Sequence, residues 1–79
     1  MTQLLIQTTA PDYAAWKAAF DAEAENIAAA SLTPLQIWKG DNQAVLVLFE
    51  VQNRKNAQSW LDKQHALGHG YTAQFLQTA

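Results

Sequence analysis

In this 79-residue chain the positions of Trp16, Glu23, His65, His69 and Tyr71 make them candidates for chemistry. His69 lies in Gly68-His69-Gly70. Flanking glycines let a backbone approach a ligand, or let an imidazole that titrates near neutrality swing toward one. They serve equally well as a helix stop and a turn. Tyr71 is beside it, and its phenol can bond the same ligand or close the core from an edge strand. Glu23 falls at the rim of an apolar stripe, between Trp16 and Ile27. A carboxylate held against Trp has a raised pKa and can act as an acid, whereas a boundary Glu simply reaches water. His65 could be a general base or an axial haem ligand. It has no partner carboxylate or second ligand at helical spacing and reads as a surface residue. Trp16, Trp38 and Trp60 could line a pocket for a flat aromatic molecule, but their positions read as core for Trp16 and Trp60 and as interface for Trp38. The sequence has no Gly-rich phosphate loop, no Ser-His-Asp arrangement and no metal spacing, so neither a cofactor nor a metal is expected.

The elements that must position these groups follow from periodicity. Residues 2–8 alternate as a strand, with Leu4 and Ile6 on one face and Gln3, Leu5 and Gln7 on the other. Thr9 offers an N-cap, with Asp12 three residues on and Pro11 allowed in the first turn. A helix is then predicted to about Ala30, with Tyr13, Trp16, Phe20, Ala24 and Ile27 on one stripe. Residues 31–33 read as a connection and 35–39 as a strand whose preceding Pro34 marks a sheet edge. Gly40-Asp41-Asn42 reads as a hairpin turn. Residues 43–51 are a strand apolar on both faces. Asn53 can cap a second helix over 54–67, with Ala57, Trp60, Leu61, Gln64 and Leu67 inward. Residues 71–78 read as a last strand, with helix as the alternative.

The order β-α-β-β-α-β is that of an α+β, ferredoxin-like domain. Right-handed crossovers predict an antiparallel sheet of strand order 4-1-3-2, with both helices on one face. Leu4, Ile6, Leu35, Ile37, Val45, Val47, Phe49 and Val51 are assigned to the helix side. The other face would then present Leu5, Trp38, Ala44, Leu46 and Leu48 among Gln3, Gln7 and Gln36. A contiguous apolar patch of that kind marks an interface. The expected cover is a second copy of the chain, with Leu5, Trp38, Leu46 and Leu48 at the contact.

Composition narrows the partners. One domain of this length buries only roughly 60–65% of its unfolded surface, and without Cys it has no disulfide to hold it, which again favours oligomerisation. The net charge of −2 with scattered acidic residues lacks the basic stripe of a nucleic-acid binder. No apolar run reaches the ~20 residues of a membrane span. A cytoplasmic protein is expected.

The pattern Asp12-Tyr13-x-x-Trp16-Lys17-x-x-Phe20-Asp21, together with Leu48-Phe49-Glu50-Val51 and Phe75-Leu76-Gln77-Thr78-Ala79, resembles small bacterial proteins of the dimeric α/β-barrel superfamily. That superfamily includes antibiotic-biosynthesis monooxygenases, haem-degrading enzymes and members of unknown function. The resemblance implies two sheets facing each other across a dimer, with helices outside and a pocket between sheet and helices. In its haem-degrading and quinone-forming members the first strand carries an Asn; here it offers Gln3, Leu5 and Gln7. The leading expectation is a homodimer holding a small apolar or aromatic molecule in the helix–sheet cleft near His69 and Tyr71, with Trp16 and Glu23 as further pocket candidates. The alternatives are a cofactor-independent monooxygenase or isomerase acting on an aromatic, polyketide-like substrate, and a purely structural or interaction module.

Overall fold

A computed structural model describes residues 2–66 and 71–78. In chain order it contains β1 (Thr2–Thr9), α1 (Tyr13–Ala22), α2 (Ala24–Ala29), β2 (Leu32–Lys39), a 3-10 turn (Asp41–Gln43), β3 (Ala44–Val51), α3 (Arg54–Ala66) and β4 (Thr72–Gln77). The four strands form one antiparallel sheet in the order β2-β3-β1-β4. Counted from the β4 edge, the same sheet reads β4-β1-β3-β2. The architecture is α+β and compatible with a ferredoxin-like domain. No helix among the described residues is long and apolar enough to cross a membrane.

The period-2 pattern of the two central strands builds the core. β1 and β3 pair so that Leu4 faces Phe49 and Ile6 faces Val47. All four are at most 1% exposed. Fully burying a side chain of this kind stabilises by about 1.5–3 kcal/mol. Phe20 of α1 and Trp60 of α3 both contact Phe49, so both helices cover that face. Ile27, Ala57 and Leu61 complete the buried cluster. β4 is a strand, pairing with β1 from Thr72 opposite Gln7 to Gln77 opposite Thr2.

Several local expectations are overturned. Thr9 does not cap a helix; it extends β1 and pairs with Ala44. Asp12 is the N-cap, in extended conformation, its side chain accepting from Ala15 N at 3.1 Å. The predicted single helix breaks at Glu23, whose φ of −89° and ψ of 3° are not helical. Its N–H bonds back to Phe20 O at 3.1 Å in a tightened turn. The break lets α1 and α2 approach the sheet separately: α1 has no fully buried residue, whereas Ile27 of α2 is 1% exposed.

β2 begins at Leu32, not Leu35. Ser31 takes a left-handed conformation, φ 61°, and its carbonyl accepts from Gln52 N, which brings Leu32 opposite Val51. A β-bulge falls between Pro34 and Gln36, and Leu35 is the extra residue. A bulge interrupts the two-residue alternation. Leu35 is therefore 45% exposed and does not join the helix-side core. Ile37 returns to register opposite Val47 and packs on the core. In the turn, Asn42 and Gln43 carry the positive φ values, not Gly40.

Among the described residues no helix covers the opposite face of the sheet. There Leu5 faces Leu48, Gln7 faces Leu46, and Trp38 of β2 faces Leu46 from the other side. Leu5, Leu46 and Leu48 are half-buried, and Trp38 is 45% exposed. Glu50 lies at the end of this face, between Gln3 and Thr33.

Candidate functional site

An unbroken row of aromatic rings crosses the interface between the helices and the sheet. Tyr13 contacts Trp16 at 5.8 Å between centroids, and Trp16 stacks on Phe20 at 5.0 Å. Phe20 meets Phe49 at 6.2 Å, Phe49 meets Trp60 edge-on at 6.0 Å, and Trp60 stacks on Tyr71 at 6.0 Å. Such pairs add about 0.5–1.5 kcal/mol each beyond burial. Helical spacing on α1 places Tyr13, Trp16 and Phe20 on one stripe. The row runs through the helix–sheet layer as far as Tyr71. Trp60 is 6% exposed; Trp16 is only partly buried and packs against the core's margin.

The sequence-predicted site residues separate into two groups. Glu23 and Tyr71 come together: burial pushes the Tyr71 phenol above its ordinary pKa, and the Glu23 carboxylate pushes it the same way. Trp16 lies next to Tyr13 toward the far end of the aromatic row, with Phe20, Phe49 and Trp60 between it and Tyr71. His69 lies outside the described residues, as does the side chain of His65.

Two pockets of about 390 Å³ flank the helices. The apolar one lies between α1, α2 and the β2 edge, lined by Phe20, Ile27, Leu32, Pro34 and Ile37 among others. It includes none of Trp16, Glu23 and Tyr71. The other is lined mainly by polar side chains and lies between the helix break and α3, with Glu23, Asn26, Asn56, Ser59, Trp60, Lys63 and Gln64 over Ala29 and Ala30. Its α3 wall repeats at three and four residues, which puts these side chains on one face. Asn26 Nδ2 donates to Glu23 Oε2 at 2.9 Å, and Asn56 Nδ2 donates to Ser31 Oγ at 3.1 Å, fixing the two rims.

Sequence reasoning passed over Asn26, Asn56, Ser59 and Lys63. Their helical spacing was present, but a polar stripe on a helix ordinarily faces water. The inward assignment of Gln64 was the usable signal: it is 7% exposed, the one buried polar residue among those described. No group of three or more potential metal-ligating side chains occurs among the described residues. Comparison with family models, curated proteins and solved structures returns no match.

Proposed function

We propose that the chain is a self-associating module of the dimeric α/β-barrel type, two copies closing sheet against sheet. The observation that carries this reading is the uncovered sheet face, where Leu5, Leu46, Leu48 and Trp38 adjoin in register. Glutamines at its borders can donate and accept without bringing in charge. Glu50, at the end of the face, stays at the rim of such a contact. Light scattering is the test. The wild type is expected as a dimer, and Leu46→Glu as a monomer, because it places two charges in a desolvated contact at a cost of several kcal/mol. A monomeric wild type, or a mutant that stays dimeric, overturns the reading.

A second reading concerns the apolar pocket at the β2 edge. Its roughly 390 Å³ and its lining by Phe20, Ile27, Leu32 and Ile37 suit a small apolar or aromatic molecule. A polarity-sensitive naphthalene dye is expected to bind saturably to the wild type. Ala24→Trp, which fills the pocket from the α2 side, is expected to abolish that binding without lowering the melting temperature. Unchanged dye binding in this variant counts against the pocket.

A further inference from the structure

The polar pocket between the helix break and α3 has features that neither reading above uses. Gln64 is 7% exposed and lines the pocket. Trp60 lines it too, and its Nε1–H is buried without a partner. Buried polar groups are almost always paired, so the unpaired Trp60 indole beside the buried Gln64 side chain marks a place where a partner can arrive from outside the chain. Gln64 can both donate and accept, whereas the indole only donates.

The charges on the rim narrow the ligand. Glu23 stands on one side and Lys63 on the other. Asn26 donates to Glu23 Oε2. Lys63 has no ion-pair partner among the described residues. A lone anion would meet the Glu23 carboxylate, and a lone cation would meet the Lys63 ammonium. A molecule carrying both charges can set each against its opposite. The Ala29 and Ala30 floor offers room for a short apolar group, and the volume is near the lower end for small-ligand sites.

We propose that this pocket binds a free zwitterion of α-amino-acid type, its ammonium on Glu23, its carboxylate on Lys63, and its polar atoms within reach of the Gln64 amide. The proposal is independent of dimerisation and of the apolar pocket at β2.

The test is a titration of the isotopically labelled full chain followed by NMR. The probes are L-leucine and its two singly charged analogues, isocaproate and isoamylamine. Leucine is expected to shift the Gln64 side-chain amide and Trp60 indole signals saturably, with each analogue at least about tenfold weaker. Glu23→Gln should lower leucine to the level of isocaproate, and Lys63→Met to that of isoamylamine. Both positions lie outside the core, so the backbone amide spectrum should report an intact fold. Gln64→Leu should abolish leucine binding while the backbone amide spectrum stays that of the folded chain. The proposal fails if leucine gives no saturable shift, if either analogue binds as well as leucine, or if any of the three variants binds leucine like wild type.

Discussion

Single residues decide where the first helix begins and how the molecule responds to alkali. Asp12 accepts from Ala15 N, so Asp12→Ala should cost about 1 kcal/mol in urea unfolding. Thr9→Ala should cost less, since Thr9 is an exposed strand end, and equal losses would contradict the assignment of the cap. Tyr71 sets a pH dependence. Its folded pKa is raised above the ordinary 10.0, first by burial and then by Glu23. Above pH 10 the unfolded chain therefore loses this proton before the folded one does. The folded state then binds more protons, and stability falls as pH rises from about 10 through the folded pKa. Tyr71→Phe should flatten that part of the pH profile, and an unchanged slope would show that other groups produce it. Asp12 was visible in the sequence as part of a cap but assigned to the wrong position in it. Thr9 is an equally good cap chemically, and only the pairing of Thr9 with Ala44 takes it out of the helix.

At the scale of elements, the aromatic row joins α1, β3 and α3 to Tyr71, the residue before β4. Trp60 is buried and Trp16 only partly so, and their truncations should differ accordingly. Trp60→Ala should cost about 3–5 kcal/mol, and Trp16→Ala clearly less. Thermal melts of the two variants check the ranking; a Trp16 variant at least as damaged as the Trp60 variant would reverse it. The elements most legible in the sequence were those with an uninterrupted period. β3 alternates without a break, and the α3 stripe of Ala57, Trp60, Leu61 and Gln64 is buried throughout. β2 was misread because one extra residue at Leu35 shifts the alternation, and periodicity alone does not register an insertion. The helix break at Glu23 has no Gly or Pro to announce it. Half of the polar pocket was hidden for a related reason: its α3 wall has helical spacing but no apolar character, and nothing local shows that a second helix stands opposite.

At the scale of the whole molecule, the sheet has one covered face and one open face. If a second copy supplies the missing cover, folding and association share the same free energy, and the melting temperature should rise with protein concentration. Leu46→Glu should remove that dependence. Salt should change the association little, since Glu50 is the one charged side chain on the central strands of this face and lies at its end.

The bulge at Leu35 has a consequence for the solubility of the chain. β2 is an edge strand with Pro34 inside it, so its ladder lacks one N–H and loses its register one residue later. An incoming strand finds no regular template there, which is how natural sheets discourage edge-to-edge joining. The remaining edge is the six-residue β4. Joining two molecules β4 to β4 consumes both of those edges at once and leaves only the irregular ones outside. A ribbon that runs on edge to edge needs two regular edges on each sheet, and among the described strands only β4 offers one.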